Sequence, residues 1–240
     1  MSFETIQKEN LDSLLREVGK EYRKLVGKNM PAEMILVGGA AVICNYGFRD
    51  MTTDIDAMIM ASDAMKEAIR HVGDRLHLPF GWLNDDFRRT ESFSPKLREI
   101  SVYYKSYYGV LSVRTVAAEY LVAMKIKSGR KYKNDLSDIV GIVADHQSRG
   151  DSINEERVIA AFRFLYGLEA QIPEENLEFL RGILLRNPLT GVYEEIRYNE
   201  KNAKEALIEF QAKYPSVLKT ENVNTIIATL QEKKKKENKP

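Results

Sequence analysis

The chain holds a single cysteine, Cys44, among its 240 residues, which excludes an internal disulfide. No apolar run approaches the ~20 residues that a membrane span needs. The opening residues, Met1-Ser2-Phe3-Glu4, lack the basic-then-apolar pattern of a signal peptide. These absences set the expectation of a cytoplasmic protein with no membrane partner. An excess of one charge is missing too: net charge is +1, so global charge selects no partner. Several catalytic signatures are absent. There is no G-x-G-x-x-G and no Gly-Lys-Ser/Thr, which sets aside the common dinucleotide and P-loop fingerprints. His71, His77 and His146 have no zinc-ligand spacing, and no G-x-S-x-G occurs. Cys44 reads as a small buried side chain. No internal repeat is visible.

What is present has the composition of an ordinary soluble protein, 44% apolar and 30% charged, and is long enough for one large domain or two small ones. Leu11, Leu14, Leu15, Val18, Tyr22 and Leu25 recur at helical spacing, which predicts a helix within residues 3–26, closed by Gly27 and Pro31. Residues 34–37 predict a short strand, Gly38-Gly39 a turn into a helix over 40–46, and residues 53–60 a second strand. A helix capped by Ser62 and Asp63 follows, to about Leu76, with Met65, Ala68, Ile69 and Val72 on one side. Residues 80–96 read as irregular. Strands are expected over 97–104 and 110–114 with Gly109 in the turn, then helices from Thr115 to Ser128 and from Asn134 to Gln147. Ser152-Ile153-Asn154-Glu155 reads as a capping box, and everything beyond it as helical, broken at Pro173, Pro188 and Pro215. The tail from Glu232 to Pro240 reads as a frayed helix end or a solvated segment. The fold class expected is α/β (α+β). A small mixed-sheet domain over 1–150 precedes an all-helical domain over 151–240, with a cleft between them.

The chemistry concentrates in Thr53-Asp54-Ile55-Asp56-Ala57-Met58-Ile59. On a strand, residues i and i+2 share a face, so Asp54 and Asp56 would point together while Ile55 points to the core. Two neighbouring anions repel unless a cation lies between them, and oxygen ligands suit Mg²⁺. The positions after Asp56 supply neither a third oxygen ligand nor a glycine, so this is not a calcium loop. Upstream, Gly38 and Gly39 offer backbone that a phosphate can approach closely. From Asp86 to Lys133 there are eleven Lys/Arg and four Asp/Glu, a local net of +7, with Tyr103, Tyr104, Tyr107, Tyr108, Tyr120 and Tyr132 among them. Basic and aromatic residues together suit a triphosphate or a nucleic acid, and equally strand packing with solvated lysines.

Strand, Gly-Gly, helix, then strand with Asp-x-Asp, fourteen residues separating Gly39 from Asp54, resembles the nucleotidyltransferase superfamily of polymerase-β-like fold. Residues 119–139 resemble the helix pair that follows the catalytic sheet in AbiEii-type nucleotidyltransferase toxins and their uncharacterised bacterial relatives, and Trp82-Leu83-Asn84-Asp85 is similar to the latter group. The resemblance covers roughly residues 34 to 145. It implies that Gly38 and Gly39 contact the triphosphate of an NTP, that Asp54 and Asp56 bind Mg²⁺, and that Thr53 or Thr52 supplies the hydroxyl before the pair. Lys125 and Arg130 resemble a basic motif that steadies phosphate; the spacing is one residue short, so Lys125 or Lys127 fills the lysine position. Asp135 and Asp138 resemble a later acidic motif that places Asp138 in nucleotide binding, and a helix cap with a surface salt bridge accounts for them equally. A third carboxylate, acting as base or metal ligand, falls to Glu99 on the expected strand, with Asp85 and Asp86 as second choices and an exposed glutamate paired with Arg98 or Lys96 as the plainer account. The implied activity is transfer of a nucleoside monophosphate to an acceptor, tRNA among the candidates, as a toxin beside an antitoxin protein. The alternative is a catalytically impaired binding module of the same fold.

Overall fold

The central strand of the molecule is Ala32–Leu36 (β2), buried at four of its five residues. Its backbone pairs with a strand on either side, and Ala32, Met34 and Leu36 give it an apolar core face. In the computed structural model, which describes residues 5–189, 191–219 and 222–237 (side chains to 230), Ile6–Gln7 (β1) and Lys8–Val26 (α1) precede it. After it come Gly38–Asn45 (α2), Met51–Thr52 (β3), Ile55–Met60 (β4), Ala64–Leu76 (α3), Leu83–Asn84 (β5), Leu97–Ile100 (α4), Ser101–Tyr107 (β6), Leu111–Val116 (β7) and Ala118–Ser128 (α5). The remainder is helical: Asp135–Ser148 (α6), Glu155–Tyr166 (α7), Glu174–Leu184 (α8), Val192–Lys213 (α9) and Val223–Glu237 (α10). The expected mixed sheet and helical C-terminal part are therefore both present. The chain divides into two compact units, Met1–Met124 with Ile153–Gln171, and Lys125–Ser152 with Ile172–Pro240.

In the first unit the sheet runs β5-β4-β2-β7-β6. β2 is antiparallel to β4 and parallel to β7; β5 is parallel to β4, and β6 antiparallel to β7. Directly opposed residues share a face. One face carries Met34, Leu36, Ile55, Ala57, Leu111 and Val113, all buried. The helix α1 lies against the sheet there, through Leu11, Leu14, Leu15, Val18 and Tyr22, each removal from water being worth roughly 1.5–3 kcal/mol for a full aliphatic side chain. Close approach depends on Gly19, where an added Cβ would sit 2.7 Å from Tyr107 Cβ. The helices α1 and α3 are tied by Arg75, whose Nη2 lies 2.7 Å from Glu17 Oε2. The other face aligns Asp56, Asn84, Ile35, Met58, Arg114, Tyr103 and Ser101 by the same register.

Several elements differ from the sequence reading. α1 starts at Lys8 because Ile6 and Gln7 pair with Thr52 and Met51, and Leu25 is half-exposed at its end; the first four residues lie outside the described ones. β4 starts at Ile55, leaving Thr53 and Asp54 in a bend. Leu83-Asn84, read as irregular, is a strand beside Ile55-Asp56, too short to show a period. Leu97–Ile100 is a helical turn rather than the start of β6, and Thr115 belongs to β7 rather than to a helix. The cap of α7 is Asn154, whose Oδ1 accepts from Arg157 N at 2.8 Å, not Ser152. The proline breaks hold: Pro173 precedes α8, Pro188 separates α8 from α9, and Pro215 follows α9. α10 continues to Glu237, so the tail reading falls partly on the helix and partly, at residues 238–240, outside the described residues. No helix among the described residues is long and apolar enough to cross a membrane.

Candidate active site

Gly38 opens α2 with φ of +56°, a left-handed conformation that a side chain resists. The Val37 N–H donates to the Asp56 carbonyl at 3.0 Å, and this rung holds the end of β2 beside the start of β4. In consequence the Asp56 carboxylate lies against the turn: its Oδ2 is 3.5 Å from where a Cβ on Gly38 would stand. Asp56 is half-buried and opposite Asn84 of β5. Asp54, two residues earlier in the bend, is also half-buried, and its Oδ1 accepts from the Thr53 hydroxyl at 3.2 Å. The glycine turn and the Asp-x-Asp segment are thus neighbours in space, and Thr53 does adjoin the first carboxylate.

Gly39 has a different task. A Cβ there would stand 2.6 Å from both Arg49 Nη2 and Thr52 Oγ1. Arg49 is only 8% exposed, and its Nε donates to the Met51 carbonyl at 2.9 Å. The second glycine therefore makes room for a buried guanidinium and a threonine hydroxyl. Sequence reasoning missed Arg49; the requirement for a cation near two anions was the available signal, but nothing in the local pattern pointed to this one. Arg114 was missed as well. It lies on the Asp56 face of the sheet, in line with Ile35 and Tyr103, and its Nε and Nη2 donate to Ser101 Oγ at 2.7 Å and Ser101 O at 2.6 Å.

Glu99 is exposed on the one-turn helix α4, not on a strand, so its parity with Ser101 and Tyr103 has no structural meaning. Arg98 pairs instead with Glu33, Nε to Oε1 at 3.0 Å. Asp85 and Asp86 adjoin Arg88 and Arg89 around a 3₁₀ turn. Among the described residues no three His, Cys, Asp or Glu side chains form a group able to hold a metal ion.

In the second unit Lys125, Arg130, Asp135 and Asp138 come together. Lys125 Nζ lies 2.6 Å from Asp138 Oδ2 and 3.4 Å from Asp135 Oδ1. Arg130 reaches Asp135 through Nε at 2.7 Å and Nη2 at 3.3 Å. Lys125, Asp135 and Asp138 are all buried. Burial alone would raise the Asp135 carboxyl, but Lys125 and Arg130 outweigh it and hold that group below the usual carboxylate range. The positions expected to meet phosphate thus spend their charge on one another. Glu200 of α9 completes the arrangement, accepting from Leu136 N at 2.8 Å, Ser137 N at 3.3 Å and Ser137 Oγ at 2.5 Å. It caps α6 across sixty-odd residues where the Asn134 side chain does not, and burial pushes its carboxyl up to about 7.

Residues 13–146 match a family described as nucleotidyltransferase of unknown function (DUF6036), which spans the sheet, the glycine turn and the Lys125–Asp138 helix pair. No curated protein and no solved structure matches the chain.

Proposed function

The chain belongs to this nucleotidyltransferase family, and on that premise we propose that it moves a nucleoside monophosphate from an NTP to an acceptor hydroxyl, with Asp54 and Asp56 holding Mg²⁺. One observation carries the reading: a half-buried carboxylate, Asp56, lies against a left-handed glycine at the mouth of a helix. The donor set fits the ion, being carboxylate oxygen only, beside a glycine whose backbone phosphate can approach without meeting a Cβ. When bound there, Mg²⁺ would neutralise triphosphate charge and acidify the acceptor hydroxyl.

The chain's own groups supply the rest. The first N–H groups of α2, at Gly38 and Gly39, have no partner within the helix and suit phosphate oxygens. Gly38 keeps that approach open, and Thr53 orients Asp54 through its hydroxyl. For Lys125 to touch phosphate it would have to leave Asp138, so we assign Lys125, Arg130 and Asp138 to the integrity of the helix pair. For the acceptor we propose RNA, tRNA included, on the strength of the +7 stretch and its exposed Tyr103. A growth-arresting role restrained by a partner protein is the corollary.

A second reading, a binding module impaired in chemistry, is favoured by the exposed position of Glu99, since among the described residues no three acidic, histidine or cysteine side chains form a metal-holding group. The test is incubation with each α-labelled NTP, Mg²⁺ and bulk RNA. Label entering RNA with the native chain, but not with Asp54→Asn or Asp56→Asn, is the expected result. Label on no RNA, protein or small acceptor would favour the binding module. Induced expression is expected to arrest growth, with relief by Asp56→Ala; normal growth would remove the toxin role and leave catalysis standing.

A further inference from the structure

Arg49 is a charged residue packed against the glycine pair that the proposed chemistry does not use. A guanidinium stays protonated at any pH the fold survives, so an interior arginine needs an anion as well as a carbonyl. Its Nε serves the Met51 carbonyl, which fixes the side chain but leaves its charge uncompensated by that bond. Three acidic residues adjoin this segment. Asp50 is exposed. Asp54 lies in the bend and engages Thr53. Asp56 is half-buried, with Oδ2 against Gly38, while Arg49 Nη2 lies against Gly39, the next residue. The two consecutive glycines, both stripped of side chain, thus carry a carboxylate on one and a guanidinium on the other.

We infer that Arg49 is a positioning residue that pairs with Asp56, fixing its carboxylate at the glycine turn and neutralising it when no divalent ion is bound. The β1–β3 ladder supports this, since it anchors Met51 and Thr52 and so holds the segment between the two charges. A divalent ion arriving at Asp56 then competes with a resident cation. Arg49 would thereby set the ion concentration at which the site fills, a consequence that rests on the metal reading above. The pairing itself does not.

The experiment separates the two. In chelator, thermal unfolding of Arg49→Gln, Asp56→Asn and the double variant is compared with the native chain. Arg49→Gln is expected to lower Tm by about 4–10 °C, and the double variant to fall no further than the worse single one. Losses that add would overturn the pairing. Arg49→Lys, which keeps the charge, is expected to fold and to recover at least half of the loss; a lysine variant as unstable as the glutamine one would show that shape rather than charge is at stake, and would also overturn it. Mn²⁺ titration is the second arm. Arg49→Gln is expected to bind Mn²⁺ at least about threefold more tightly, by the lost competition; unchanged or weaker affinity rejects the competing role. If the native chain binds no Mn²⁺, the metal reading fails, and the thermal cycle alone decides the pairing.

Discussion

Two regions of this chain carry closely spaced acidic residues, and they are built on opposite plans. Asp54 and Asp56 are half-buried at the junction of a bend and a strand, beside a glycine turn against which Asp56, Arg49 and Thr52 pack. Asp135 and Asp138 are buried on the first turn of α6, with Lys125 and Arg130 already within bonding distance. In sequence the two look alike. In space the first pair stays half-buried beside a glycine turn, whereas the second is buried with two counter-charges already in contact. Acidic spacing alone does not identify a catalytic site; what matters is how deeply the fold buries the acids and what it packs against them.

That contrast is open to attack, most forcefully at Lys125. Lys125→Met leaves Asp138 and Asp135 buried beside a lost cation and is expected to cost about 3–5 kcal/mol in urea unfolding; a loss under about 1 kcal/mol would mean that the network is not structural. Next comes Glu200. Its carboxyl titrates near 7 when folded against an ordinary value near 4.5, so the native state holds the proton more tightly. The sign follows: this contribution is complete below about 4.5 and is lost as pH rises through about 7, up to about 3 kcal/mol. Unfolding measured across that range is expected to show the decline, and Glu200→Gln to flatten it. Gly39→Ala brings the test to the other region. A methyl within 2.6 Å of Arg49 Nη2 and Thr52 Oγ1 must displace both, at about 1–3 kcal/mol of stability, with a loss of label transfer. The smallest effect belongs to Glu99, exposed on a helical turn rather than on a strand: Glu99→Gln is expected to change the transfer rate less than about threefold, against the ~10²–10⁴-fold that a general base supplies.

Much of the first region was legible from its residues. The apolar alternation around Ile55 and the glycines at 38 and 39 predicted strand, turn and helix, and the ladder from Val37 to Asp56 brings them together as the spacing implied. The rest depended on long-range partners. β5 has two residues, and only its pairing with Ile55-Asp56 makes it a strand. Glu99 had β-branched neighbours that suggested extension, yet Leu97–Ile100 closes a helical turn before the sheet begins. In the second region the opposite charges at 125, 130, 135 and 138 were visible, but not that they would satisfy one another in the interior. The Glu200 cap was out of reach because it comes from a helix whose local pattern says nothing of its partner. Local periodicity specifies elements; the fate of a charge is decided by whatever the fold brings against it.

Calorimetric titration of a non-hydrolysable NTP analogue, with and without Mg²⁺, tests the assignment most directly. Saturable binding that needs Mg²⁺, falls by more than about tenfold in Asp56→Asn and persists in a folded Lys125→Arg variant is the result expected. Binding indifferent to Asp56→Asn, or abolished by Lys125→Arg in a chain that remains folded, would contradict it and move the nucleotide site to the other acidic pair.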